Sequence, residues 1–573
     1  MILTVDSNFI YISSKIKAMQ AETTNCQNCK NAFIIEAQDF DFYKKIDVPP
    51  PTWCPACRLM RRLAFRNERY LYKKSCGLCG KSVMTTYAPN SPYTIYCDAC
   101  WWSDKWDAVS YGQVYDPNRS FFEQFEELSK KVPHQPVFNL HTTLVNSEYT
   151  NLVTNLKNCY LIFNSDYDEN CAYGTEVESS KDCFDCLMVD SCELSYESVN
   201  CQKCYRVMYS LDSEACSDVW FSKNCVGSSN CFGCINLRNK KYHIWNEPYS
   251  EEEYHKKVKE ILSSETLETL IKKRDEFARQ FPVKYFHGRQ NQNISGDYIY
   301  NSKNTHDSYI VTGGEDNRYC MWLLVPPVKD CMDFTEFGDG AELMYETITS
   351  GIGSSRVKFS RQCSVNDREV EYSLYSRSSH DLFGCVSLQK KEYCILNKEY
   401  SKEEYEKLRT QIVEDMKRRG EYGEFFPIAT SQFAYNESSA FEHFPMTREE
   451  VLKKGWQWCD PEKRDITIGG DILGCAHEGA CEHHCTTGFR VIDSERNFLE
   501  RFQLPLPRLC PNCRHYDRLQ YRNPVRLWSR SCMCTKPSHT HRGGSCPNNF
   551  KTSYAPNRPE IVYCEQCYQI EVV

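Results

Sequence analysis

The chain has no apolar run near the roughly 18 to 20 residues that a membrane span needs. It also carries little excess charge: 69 Lys and Arg stand against 77 Asp and Glu, a formal −8 over 573 residues. The first absence argues against a membrane protein, the second against a chain built as a whole to hold a polyanion. The opening segment MILTVDSNFIYISSKIKAMQ lacks the charged-then-apolar layout of a secretory signal. Catalytic punctuation is missing too, with no GxSxG, no phosphate-loop motif and no dinucleotide fingerprint. His477-Glu478 opens like the HExxH of zinc proteases, but the fifth residue is Cys481. Asp166, Asp168 and Glu169 are the acids a hydrolytic groove would use, and acids in turns are normally solvated. The expectation is a soluble, cytoplasmic, non-catalytic protein of roughly three to five domains.

What the chain has instead is 35 cysteines. The length, the missing signal and the odd count argue against a disulfide framework, and the many C-x-x-C pairs favour a tetrahedral metal in a reducing compartment.

Eight of these cysteines form four pairs near the N-terminus: Cys26/Cys29, Cys54/Cys57, Cys76/Cys79 and Cys97/Cys100. An offset of 456 carries Cys29, Cys54, Cys57 and Cys76 onto Cys485, Cys510, Cys513 and Cys532, and Arg58, Arg62 and Arg66 onto Arg514, Arg518 and Arg522. After an 11-residue insertion, an offset of 467 carries Cys79 onto Cys546, Tyr87–Asn90 onto Tyr554–Asn557, and Cys97 and Cys100 onto Cys564 and Cys567. The two ends are diverged copies of one module. Cys481, one residue out of register, is the expected counterpart of Cys26. Sequential pairing gives two four-cysteine sites per end and about four zinc ions per chain; interleaved pairing is the alternative. Cys534, His539, His541 and His484 are alternative ligands at the C-terminal end.

A second repeat lies inside the first. Phe232-Gly233-Cys234 and Phe383-Gly384-Cys385, 151 residues apart, each precede a similar stretch that ends in a helix-capping box, Ser250/Glu253 or Ser401/Glu404. Upstream run phrases of Asn or Asp before Cys, at 158–159, 182–183, 200–201, 224–225 and 230–231, with intervals near 18 or 24. Short strands punctuated this way predict coils of a parallel β-solenoid, with a sandwich as the alternative. Cys159 to Cys234 then read as small buried side chains; a metal ladder through Cys183/Cys186, Cys201/Cys204 and Cys231/Cys234 is the sharper alternative.

From Cys54 to Lys74 seven Lys or Arg face one acid, Glu68, and five arginines recur from Arg514 to Arg530 beside Asp517. On a helix Arg58, Arg62 and Arg66 share a face, as do Arg514, Arg518 and Arg522. With Trp101, Trp102 and Trp106 nearby, that face suits RNA, DNA or a ribonucleoprotein. The competing readings are charge compensation for thiolates and the acidic middle, a protein-assembly scaffold, or a zinc reservoir.

The phrases CPACRLMRRLAFRNERYLY, YCDACWWSDKW, FGCINLRNKKYHIWNEPYSEEEY, YGEFFPI and SYAPNRPEIVYCEQCYQ resemble a family of large cysteine-rich zinc-ribbon proteins of candidate-phyla (Patescibacteria-type) bacteria. The resemblance implies a cytoplasmic bacterial protein with zinc ribbons and supplies no activity. The expected architecture is mainly β with helical insertions, with zinc-ribbon or treble-clef modules flanking a duplicated parallel β-helix. Its parts are an N-terminal double zinc module (22–107), a connector (108–140), a solenoid half (141–248), a helical spacer (249–290), a second half (291–400), a connector (401–470) and a C-terminal double zinc module (471–573).

Overall fold

In a computed structural model, which describes residues 20–460, 466–539, 541 and 544–573, the Asn/Asp–Cys phrases fall on one recurring backbone position. The opening segment read above for a secretory signal lies outside these residues, apart from Gln20. From Leu152 to Trp245 every third residue has a positive φ, as at Asn158 (55°), Asp182 (52°) and Asn200 (52°). Asn and Asp enter this left-handed region more cheaply than other residues with a side chain. Leu161 and Tyr173 are held there too, at roughly 1–2 kcal/mol each, so pairing and burial between turns must offset the strain.

That pairing is parallel and advances by 12 residues. Asn151 faces Phe163, Phe163 faces Thr175, and Thr175 faces Leu187. Further on, Tyr205, Ser217, Ser229 and Lys241 continue the same step. Bridges such as Tyr160–Ala172–Phe184–Tyr196 tie the intervening sides at the same interval. The expected intervals of 18 and 24 are therefore multiples of a three-residue unit, and 24 is two steps of the ladder. At the bends, side-chain amides stack in file: Asn146 donates to Asn158, Asn158 to Asn170, and Asn170 to Asp182.

The residue after most of these bends is buried, and most of them are Cys, Ser or Val, which explains the cysteines. Every cysteine from Cys159 to Cys234 lies a multiple of three residues from the next. Cys171 Sγ donates to Glu169 O (3.4 Å) and to Ser180 O (3.5 Å) of the next step. Ser198 Oγ makes the same two bonds, to Tyr196 O and Val207 O. Cysteine and serine are interchangeable here because both are small and both can donate to the backbone. Cys183, Cys186, Cys201, Cys204, Cys231 and Cys234 donate in this way as well, and the buried-thiol reading accounts for them without a metal.

A second parallel sheet of 14 strands runs between residues 288 and 399, with steps of mostly 12 or 13 residues. Each segment ends in an antiparallel return, Lys241–Ile244 with Glu247–Pro248 and Glu392–Ile395 with Lys398–Glu399. A capped helix follows each, Glu251–Ser264 behind the Ser250/Glu253 box and Lys402–Arg419 behind Ser401/Glu404. The protein is thus a mixed α/β fold with parallel sheets. Among the described residues no helix is long and apolar enough to cross a membrane.

The cores cross over. One large apolar cluster joins Leu59, Leu63 and Phe65 of the N-terminal end to Phe334, Tyr345 and Phe359 of the second segment. Another joins Phe498, Cys510 and Cys513 of the C-terminal end to Phe184, Tyr196 and Phe221 of the first. The first helix of each end thus packs on the segment farther from it in sequence, while Arg69 reaches Thr175 and Asn523 reaches Asp297 of the nearer one.

Candidate metal centres

Four units share one plan. A two-stranded hairpin holds a pair of cysteines at its tip, and a helix begins at a further cysteine. The hairpins are Glu22–Asn25/Ala32–Ile35, Tyr72–Ser75/Ser82–Thr85, Leu473–Gly474/Gly488–Phe489 and Trp528–Ser531/Asn549–Thr552. The helices start behind Cys54, Cys97, Cys510 and Cys564, each standing at the N-cap. A helix N-terminus offers free N–H groups and a positive dipole end, which favours a thiolate there. In every unit that cysteine's own N–H donates to the first tip sulfur: Cys54 to Cys26 (3.2 Å), Cys97 to Cys76 (3.2 Å), Cys510 to Cys475 (3.3 Å) and Cys564 to Cys532 (3.2 Å).

The sulfurs gather into tetrads. Cys26, Cys29, Cys54 and Cys57 form one; Cys76, Cys79, Cys97 and Cys100 the second; Cys475, Cys485, Cys510 and Cys513 the third; Cys532, Cys546, Cys564 and Cys567 the fourth, each with its ligand atoms within 4.8 Å of one another. Measured edges are 3.8 Å (Cys29–Cys54), 3.7 Å (Cys79–Cys97), 3.8 Å (Cys475–Cys513) and 3.9 Å (Cys546–Cys564). Sulfurs about 2.3 Å from a tetrahedral ion stand roughly 3.8 Å apart, whereas a disulfide needs about 2.05 Å. The tetrads fit a four-coordinate metal and exclude bridges between these sulfurs. The Cys54 thiol is pulled down to about 5 by the Cys57 thiol and, against burial, by the Cys57 N–H. Cys510 is pulled down to about 4 in the same way by Cys513. The same contacts push Cys57 and Cys513 up, so each metal-free pair holds a proton that an ion must displace. Asn28 Nδ2 donates to Cys57 Sγ (3.2 Å) and Asn548 Nδ2 to Cys564 Sγ (3.3 Å), spreading the negative charge.

One assignment from sequence spacing needs correction. Cys475, not Cys481, takes the place of Cys26 in the third tetrad. The hairpin tip is longer there, so residue spacing moved while topology did not. Cys481 instead joins His477, His483 and Cys513 in a neighbouring group. His484 turns away, its Nε2 lying 3.0 Å from Asn436 Nδ2 and 3.1 Å from Asn436 O. Cys534 lies 3.1 Å from His539 Nδ1 and 3.4 Å from His541 Nε2, beside the fourth tetrad. Cys475 and His477 were not among the ligands expected from the spacing. Their signal was compositional, since the two C-terminal tips each carry one extra cysteine and either three or two histidines.

The arginine stripe also needs correction. The first three turns inward: Arg58, Arg62 and Arg66 are at most 2 % exposed. Arg58 pairs with Asp333 (2.7 Å), Arg62 with Asp333 and Glu346 (both 3.1 Å), and Arg66 with Glu336 and Glu68. The C-terminal stripe repeats the arrangement on the other segment. Arg514 meets Asp185 and Glu495, Arg518 meets Asp185 (2.8 Å) and Glu197 (3.3 Å), and Arg522 approaches Glu176 and Glu442 (3.7 Å each). These side chains are not available to phosphate, because they are buried against carboxylates of the opposite sign. Trp101 is buried against Trp106, and of the three tryptophans only Trp102 is largely exposed, under the Arg377 guanidinium.

The acids marked for a groove divide. Glu169 is a surface partner of Lys157 (2.9 Å). Asp168 is interior, contrary to the solvated expectation: it accepts from Ser180 N at 2.9 Å, and burial pushes its carboxyl well above the usual range. Asp166 accepts from Thr154 N (2.6 Å), and burial pushes it up to about 6.

Comparison of the chain with models of known protein families and with curated protein sequences gave no match.

Proposed function

We propose that the chain is a zinc-stabilised, non-catalytic scaffold. Its middle is a β-solenoid-like body of coils of about 12 residues in two segments, and the first helix of each metal module docks on the segment farther from it in sequence. The observation that carries this reading is the pair of buried arginine ladders, Arg58/Arg62/Arg66 on Asp333, Glu346 and Glu336, and Arg514/Arg518 on Asp185 and Glu197. A buried guanidinium stripped of its carboxylate costs about 3–5 kcal/mol, so the helix docks in one place or not at all. The metal tetrad fixes where that helix starts, because its first residue is a ligand. Four thiolates close the coordination sphere and leave no position for substrate, which suits a structural zinc ion.

With those arginines spent internally, the partner we propose is a protein docking on the coil flanks, as repeat bodies present extended surfaces. Zinc chelation should abolish the cooperative thermal transition of the full chain; a chelated chain that melts at the same temperature would overturn the scaffold reading. RNA binding that is lost in the Arg58→Ala/Arg62→Ala/Arg66→Ala variant would overturn the protein-partner reading. Fast zinc exchange with a weak chelator would point to a reservoir instead.

A further inference from the structure

The two C-terminal tetrads differ from the two N-terminal ones in what stands beside them. Cys513 belongs to two four-ligand groups at once, with Cys475, Cys485 and Cys510 on one side and with His477, Cys481 and His483 on the other. Its sulfur is 3.8 Å from Cys475 and 3.6 Å from Cys481, both tetrahedral edge lengths. The Nδ1 atoms of His477 and His483 are buried without a hydrogen-bond partner. Such an orphan costs about 1–3 kcal/mol unless something fills its lone pair. The His483 ring is also fixed, stacked on Tyr516 at 4.4 Å between centroids.

The fourth unit repeats this chemistry with different spacing. Cys534 is buried in one cluster with Cys567 and the rest of that tetrad, and it meets His539 and His541. His541 Nδ1 is buried and unpartnered. His539 turns its other nitrogen to Glu571 (3.4 Å), the carboxylate backing that orients a ligating imidazole. Cys513 and Cys567 occupy the same place in their units, the second cysteine of the helix-borne pair. Each lengthened tip contributes one cysteine and two histidines.

We propose that each C-terminal unit holds two divalent, zinc-class ions bridged by a single thiolate, Cys513 in one and Cys567 in the other. The inference rests on the metal reading of the tetrads and adds one ion to each C-terminal unit. A lone four-thiolate site carries a formal −2. Five thiolates, two neutral imidazoles and two divalent ions carry −1, so the second ion also relieves charge buried beside Arg514 and its carboxylates.

Native mass spectrometry of the zinc-loaded full chain should count six ions, one for each of the four tetrads and one more for each C-terminal unit. His477→Ala/His483→Ala should lose one ion, His539→Ala/His541→Ala one, and Cys513→Ser two, against one for Cys57→Ser. A wild-type count of four, or no loss from either histidine pair, overturns the inference and leaves the four tetrads standing; fewer than four undoes the metal reading itself. A readout that needs no variant is cadmium-113 resonance of the wild-type chain. Two pairs of signals split by coupling through a shared sulfur are expected, and six or fewer unsplit signals would overturn the bridge.

Discussion

The N-terminal and C-terminal metal modules share hairpin, knuckle, helix-capping cysteine and N–H···S bond, yet only the C-terminal pair has lengthened tips. Cys26 and Cys29 are separated by two residues, whereas Cys475 and Cys485 enclose His477, Cys481 and His483. Edges of the same length occur in both, 3.8 Å at Cys29–Cys54 and at Cys475–Cys513. What the difference teaches is that the helix start and the first tip sulfur define the site. The tip between them is free to grow and recruit new ligands.

The largest expected effect is metal removal, which should unfold both ends. Structural zinc contributes on the order of 10 kcal/mol in small modules, so calorimetry of the chelated chain should show no cooperative transition near that of the loaded protein. Next comes the comparison of equivalent ligands. Cys513→Ser should lower the melting temperature more than Cys57→Ser, because it removes a shared sulfur; equal losses would break the proposed asymmetry.

Third are the struts. Arg62→Ala and Arg518→Ala should each destabilise by about 3–5 kcal/mol in urea titrations, since each strands buried carboxylates. A cost below about 1 kcal/mol for either would make that helix a surface element. The smallest effect is in pH. Burial pushes Glu197 up to about 7 despite Arg518, while burial of Glu424 is outweighed by Arg61 and Thr52, which hold it below the usual range. A raised folded value means stability present at low pH is lost as pH rises through about 7. Glu197→Gln should therefore gain on the wild type, by on the order of 1 kcal/mol, between pH 6 and 8.5. A lowered folded value gives stability present above the unfolded value and lost only in acid, so Glu424→Gln should show a constant deficit over the same window. Parallel pH profiles for the two variants would erase the contrast.

Much of the metal architecture was legible because duplication leaves its cysteines in register over an offset of 456. Cys475 was not, since a hairpin tip changes length without changing which sulfur its helix partner reaches. The unit of the middle was also on the page: cysteines at 159, 171, 183, 186 and 192 are all separated by multiples of three. The 12-residue coil period is masked because the cysteines occupy different bends from coil to coil. The inward turn of the arginines was beyond the local sequence. Arg62 finds Asp333, and Arg518 finds Asp185, only after the chain has crossed to the far segment, so a basic helix read alone looks like a phosphate-binding face.

That crossing is the central claim, and hydrogen–deuterium exchange on a Cys54→Ser variant tests it most directly. Releasing the N-terminal tetrad should raise exchange in Met332–Gly338 and Tyr345–Gly351, where Arg58, Arg62 and Arg66 dock. Tyr205–Met208 and Ser217–Trp220, nearer in sequence, should keep their protection. Loosening confined to the nearer strands, or none in either set, would contradict the account.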